Sequence, residues 1–148
     1  MRIKNFKPSR KSRFKQGYVD PNSCKKLITE FRSQPIIYRS SYERKFMQWL
    51  ESSRKVKRWA SECIEIPYLW VDGKWHKYYP DYYVEMEDGT KTVIEIKPYN
   101  MTQSPETDNP RALKEYSKNV CKWKAALEFC QKKGFKFQIL TERTIENL

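Results

Sequence analysis

Apolar residues recur along this chain with two different periods. From Ser41 to about Glu51, Tyr42, Phe46, Trp49 and Leu50 fall at i, i+4, i+7 and i+8, the stripe of an amphipathic helix, with Ser40 placed as its N-cap. Three strand-like runs follow. "ECIEIPYLWV" leads to the turn Asp72-Gly73, "KWHKYYPDYYVEM" to the turn Asp88-Gly89, and "KTVIEIKP" ends at Pro98. An Asp-Gly between apolar runs is a strong hairpin signal, so the three runs predict an antiparallel meander. Residues 99–117 are polar and broken by Pro105 and Pro110, which predicts a long loop. A second helix is expected from about Asn119 to Lys133, with Val120, Trp123, Leu127 and Cys130 inward and Gly134 as its stop. "FKFQIL" reads as a last strand and "TERTIENL" as a terminal helical turn. Upstream, Ser23 to Phe31 could hold a short helix. The order helix, three strands, helix, strand predicts one α/β (α+β) domain, with two helices packed on a small mixed sheet.

Charge adds a second theme. The 148 residues carry a formal +12, which predicts attraction to a polyanion, nucleic acid first. Residues 1–36 hold ten Lys or Arg against Asp20 and Glu30, so they supply +8 of that total. They read as a basic arm ahead of a domain over residues 37–148. The arm either settles on phosphates or a partner protein or acts as a solubilising tail. No apolar run approaches the roughly 20 residues that cross a bilayer. The N-terminus lacks the apolar stretch of a signal peptide. Cys24, Cys63, Cys121 and Cys130 show no CxxC spacing and no metal-ligand spacing with His76, the single histidine. They read as free thiols, three of them in apolar patterns. His76, near a hairpin turn, reads as a surface residue, with a general-base role as the alternative.

The unusual positions are acids inside apolar strands. In "TVIEIK", Glu95 and Lys97 share a strand face. If the Asp88-Gly89 turn pairs this strand with the preceding one, Asp81 can approach Glu95. Two close, partly buried carboxylates repel unless a cation intervenes. Mg²⁺ suits such a pair, together with waters and phosphate oxygens, and the Ile96 carbonyl could supply one more oxygen. Lys97 could orient an attacking water or stabilise a negative transition state. Glu43, on the first helix, is a candidate third acid of the set. Equally, Ser40-x-x-Glu43 reads as a capping box. The alternative for Asp81 is a strand-edge marker, and for Glu95 and Lys97 a solvated ion pair. Tyr78, Tyr79, Tyr82 and Tyr83 alternate across a strand, so they are not all expected inside. Those facing out could stack on unpaired bases or pack under a helix.

Pro80-Asp81, thirteen residues and then Glu95-Ile96-Lys97 resemble the motif of the PD-(D/E)xK nuclease superfamily, whose restriction-endonuclease-like αβββαβ core has the predicted element order. "YRSSYERKFMQWLE", "SECIEIPYLW", "IEIKPYNMTQSP" and "KWKAALEFCQKKGFKFQILTE" are similar to the head completion nucleases of T-even-type tailed phages. More distantly they resemble the endonuclease subunit of heteromeric transposases. The similarity spans about residues 36 to 142. It implies Glu43, Asp81, Glu95 and Lys97 as catalytic residues and Mg²⁺ as cofactor, with Mn²⁺ as a substitute. It also implies action on double-stranded DNA alongside phage head, portal or neck proteins, in the host cytoplasm during assembly or within the virion. No small-molecule substrate or membrane is expected. The transposase relatives place Gln where Glu95 stands, so this chain follows the phage pattern.

Holding DNA needs cations beside the acids. Arg39 and Arg44 flank Glu43, and Lys118, Lys122 and Lys124 crowd the second helix. These could track phosphates, or the lysines could form the wet face of an ordinary helix. Two other functions stay open at this point: a non-catalytic protein that binds DNA or the portal, and a transposase-type endonuclease subunit.

Overall fold

A computed structural model describes residues 17–31 and 36–148. The elements are β1 (Gly17–Val19), β2 (Ile36–Tyr38), α1 (Ser41–Ser52), β3 (Val56–Ser61), β4 (Ile66–Leu69), β5 (Trp75–Tyr78), β6 (Tyr82–Met86), β7 (Lys91–Ile96), α2 (Pro110–Lys133), β8 (Lys136–Leu140) and α3 (Glu142–Ile145). The central sheet has the order β3-β6-β7-β8. Its first three strands pair antiparallel, and β7 pairs parallel with β8. Taking α1, the sheet strands and α2 in chain order gives αβββαβ, the restriction-endonuclease-like core expected from the sequence. The β4–β5 hairpin is an insertion between β3 and β6 that forms its own small sheet.

The sheet is covered on both faces. On one side Phe46 and Leu50 of α1 pack with Trp59, Tyr82, Val84 and Ile94. On the other, Ala126 and Cys130 of α2 pack with Ala60, Tyr83 and Val93. Tyr82 and Tyr83 are therefore both buried, as is Tyr78. Of the four tyrosines expected to divide between inside and outside, three are internal, because alternation exposes one face only when that face is wet.

The expected first strand is displaced. The strand paired with β6 is β3, from "VKRWAS", while "ECIEIPYLWV" contributes only β4 to the outer hairpin. A register irregularity between Val56 and Arg58 breaks the alternation and leaves Lys57 and Arg58 exposed in succession, so the pattern does not look like a strand. The expected second strand is split at Tyr79-Pro80-Asp81. Pro80 has no N–H for a ladder, and the chain uses it to pass from the hairpin into the central sheet.

α2 begins nine residues before its expected start. Pro110 opens it, behind an Asn109 side chain that accepts from the Arg111 N–H at 3.0 Å. Proline there starts a helix instead of breaking one, and the expected loop shortens accordingly. The inward residues are Asn119, Ala126 and Cys130, with Trp123 half-buried, while Val120 and Leu127 face solvent. Small Ala126 and Cys130 let the helix lie close to the sheet, and that turns the larger side chains outward. Gly134 ends α2 at φ 73°. Gly134→Ala is expected to cost about 1 kcal/mol, read as a lower midpoint in urea unfolding with an unchanged slope.

Part of the expected arm is folded. Cys24, Leu27 and Ile28 are buried, and β1 pairs with β2. Lys26 and Ile28 exchange backbone hydrogen bonds with Trp59 at 3.0 and 2.9 Å, so this stretch covers the outer edge of β3. In place of one helix over Ser23–Phe31 there are two short 3₁₀ turns, Pro21–Ser23 and Thr29–Phe31. The remainder of the arm, residues 1–16 and 32–35, lies outside the described residues. Among the described residues no helix is long and apolar enough to cross a membrane.

Candidate active site

Antiparallel β6 and parallel β8 place the start of β6 and the end of β7 at one rim of the sheet. The register joins Tyr82 to Ile94. Continued by one residue, it sets Asp81 opposite Glu95. The N-terminus of α1 reaches the same rim. A cleft of about 240 Å³ there is lined by Arg39, Glu43, Asp81, Glu95, Ile96 and Lys97, among others. Three elements distant in sequence thus deliver the expected acids and the lysine to one place.

Each acid is held by one oxygen. Asp81 Oδ2 accepts from the Ile96 N–H at 2.7 Å. Glu95 Oε2 accepts from the Tyr78 hydroxyl at 2.7 Å. Glu43 Oε2 accepts from the Arg39 N–H at 3.0 Å and the Ser40 hydroxyl at 3.3 Å. The second oxygen of each makes no hydrogen bond among the described residues, and Glu95 Oε1 lies 3.8 Å from Lys97 Nζ. Glu43 is therefore both cap and cleft residue. Ser40 Oγ caps the helix by accepting from the Glu43 N–H at 3.2 Å, while the Glu43 carboxylate reaches back to the Arg39 amide, one residue before the expected Ser40 amide. Lys97 is fixed by its own N–H, which donates to the Leu140 carbonyl at 2.9 Å.

The electrostatics carry the mark of buried charge first and of crowded negative charge second. Burial, then the charge of Asp81, pushes the Glu43 carboxyl up to about 8. The same two causes push Glu95 up to about 8, against the pull of Lys97, the Tyr78 hydrogen bond and Lys122. Burial raises Asp81 to about 6, opposed by the Ile96 amide and the charges of Lys97, Arg39 and Lys122.

Which of these groups could hold a metal follows from their donors. The Ile96 N–H points at Asp81, and a strand residue turns its N–H and C=O to the same side, so the Ile96 carbonyl faces that side too. Asp81, Glu95 and this carbonyl would offer oxygen ligands of the kind hard cations take. Among the described residues no three His, Cys, Asp or Glu side chains form a closed cage. Glu43 therefore lines the cleft without completing a three-carboxylate set.

The expected DNA contacts separate. Arg39 lines the cleft. Arg44, about 100° round α1 from Glu43, lies over the Tyr38 ring at 5.6 Å and lines a different pocket with Tyr18 and Glu51, away from the acids. Lys118 sits 4.6 Å over Trp70. Lys122 lies over Tyr68 and Tyr78 at 6.0 and 5.8 Å, and its charge reaches Asp81 and Glu95. Lys124, about 200° round α2 from Lys122, is exposed on another side. Tyr78 was not anticipated as the residue that holds Glu95. It carries no local signal, since only the break at Pro80 brings it onto Glu95. His76 pairs with Asp72 at 2.9 Å in the hairpin.

Comparison with known proteins agrees with this geometry. A family model described as TnsA-like endonuclease N terminal matches residues 53–142. The head completion nuclease of Enterobacteria phage T4 is 37% identical over 130 residues, covering 79% of this chain and 87% of that protein. With the αβββαβ core and the Asp81, Glu95 and Lys97 cleft in place, the chain belongs to the TnsA-like endonuclease family and is a relative of the phage head completion nucleases.

Proposed function

We propose that this protein is a metal-dependent nuclease that hydrolyses phosphodiester bonds of double-stranded DNA during head completion of a tailed phage. The observation that carries the reading is the convergence of Asp81, Glu95 and Lys97 on one cleft, with one oxygen of each acid tethered. The setting follows the name of the T4 relative. Beyond that name, the resemblance read from the sequence leads us to propose that the protein works in the host cytoplasm on filled heads, beside portal or neck proteins.

Asp81, Glu95 and the Ile96 carbonyl would hold the ion, Mg²⁺ or Mn²⁺ in its place. When bound there, it polarises the phosphate and makes a water acidic enough to attack at neutral pH. Tyr78 and the Ile96 amide keep the two carboxylates in their orientations. Lys97, beside Glu95 Oε1, meets the negative charge that grows on the phosphate or orients the attacking water. Arg39 and Lys122 attract the flanking backbone. Glu43, which lines the same cleft, would add negative charge to the site.

Linear duplex DNA incubated with Mg²⁺ tests this. Wild-type protein is expected to cleave, EDTA to stop cleavage, and Lys97→Met to slow it by roughly a hundredfold with DNA binding retained. Equal cleavage by the two proteins, or none by wild type in Mg²⁺ or Mn²⁺, would reject the reading.

A further inference from the structure

Just past β3, the chain turns at Glu62 with φ 47°, in the left-handed region where a side chain crowds the backbone. Among the described residues every other positive φ belongs to a glycine, at Gly73, Gly89 and Gly134. A glutamate in such a conformation is held there by its surroundings. Its N–H donates to the Asp81 carbonyl at 2.9 Å, which ties the turn to the backbone of a cleft acid. Its carboxylate is only 12% exposed, and Oε1 lies 3.8 Å from Arg39 Nε. Arg39 in turn lines the cleft and donates its N–H to Glu43.

The turn alone would be served as well by glycine. What a glutamate adds is a negative charge paired with Arg39. Arg39 has Glu43 and Asp81 as close electrostatic neighbours. A guanidinium that collapsed onto them would compete with a cation for the same oxygens. A pair with Glu62 through Nε sets the plane of the guanidinium fork, which matches phosphate geometry. At 3.8 Å the contact is electrostatic rather than a close hydrogen bond, a hold that a phosphate can share.

We propose that Glu62 is a positioning residue whose carboxylate fixes the Arg39 guanidinium at the mouth of the acid cleft, where it receives a DNA phosphate beside the one being cut. This rests on the nuclease reading above.

The test compares wild type, Glu62→Gly, Glu62→Gln, Arg39→Ala and the double variant Arg39→Ala/Glu62→Gly. Each is assayed for Mg²⁺-dependent cleavage of duplex DNA, for melting temperature, and for the dependence of DNA affinity on salt. Glycine relieves the backbone, so Glu62→Gly is expected to melt no lower than wild type. It is nonetheless expected to raise KM for DNA about tenfold and to reduce the salt slope by about one, the signature of one lost phosphate contact. Glu62→Gln, which keeps the side-chain shape, is expected to show the same KM and slope. Arg39→Ala should match them, and the double variant should be no worse than Arg39→Ala alone, because Glu62 acts through Arg39. A Glu62→Gly protein with wild-type KM and salt slope, or losses that multiply in the double variant, would overturn the proposal while wild-type cleavage stands. Absence of cleavage by wild type would overturn the nuclease reading, and this assignment with it.

Discussion

Asp81→Asn is expected to lower the rate of DNA cleavage by roughly a thousandfold while making the metal-free protein more stable near neutral pH. Asparagine has nearly the same shape, and its carbonyl oxygen can still accept from the Ile96 N–H. The structural anchor survives and the negative ligand is lost. After burial, the charge removed is the next cause that raises both Glu43 and Glu95, and it is itself a buried charge, so its loss relieves part of an electrostatic burden built into the fold. A rise in melting temperature of a few degrees is expected, at about 3 °C per kcal/mol for a domain of this size. The two readouts move in opposite directions, which an unfolded variant cannot imitate. Wild-type cleavage by this variant would remove Asp81 from the chemistry. A lower melting temperature in EDTA would show that its charge is not the burden described here.

The second large effect is the response of stability to pH and to Mg²⁺. Glu43 and Glu95 rise from an ordinary 4.5 to about 8, and Asp81 from 3.8 to about 6. The folded state therefore holds more protons than the unfolded chain between those limits, and stability falls as pH rises through them. The contribution is fully present below about pH 4 and has gone above about pH 8. Asp72, Asp88 and Glu85 are shifted downward instead, Asp72 and Asp88 mainly by backbone hydrogen bonds and Glu85 by Arg58. Their stabilisation fails only in more acidic solution. In EDTA the melting temperature is thus expected to peak near pH 5 and to decline toward pH 8.5. Mg²⁺ binds the ionised carboxylates, so the melting temperature it adds should grow with pH and vanish in Asp81→Asn. A flat or rising profile in EDTA across that range would contradict the account, as would a Mg²⁺ effect independent of pH.

Much of the site was legible in the sequence because its parts lie in regular strands. The Asp88-Gly89 turn fixed which runs pair, and period-two alternation then placed Asp81, Glu95 and Lys97 on one rim. The α1 stripe and the Ser40 cap were readable for the same reason. What escaped was context that local pattern does not carry. β3 hid behind a register irregularity and two adjacent exposed cations. Pro110 looked like a breaker and starts a helix. The inward face of α2 is set by small residues, so ranking positions by size pointed to Val120 and Leu127, which are outside. Arg44 and Arg39 flank the same glutamate in sequence, yet only Arg39 enters the cleft, because Arg44 turns away along the helix. The hold of Tyr78 on Glu95 depends on the chain changing sheets at Pro80. The strain at Glu62 has no sequence signal, since glutamate is not a residue one expects at positive φ.

The central claim is that Asp81, Glu95 and the Ile96 carbonyl share one divalent ion. The most direct measurement is an anomalous difference map from crystals of the protein grown with Mn²⁺ and a short DNA duplex. The account predicts a manganese peak in the cleft, within ligand distance of Asp81 Oδ1 and Glu95 Oε1, with a phosphate oxygen beside it. A fully occupied duplex with no peak there, or with manganese bound only elsewhere on the chain, would contradict it.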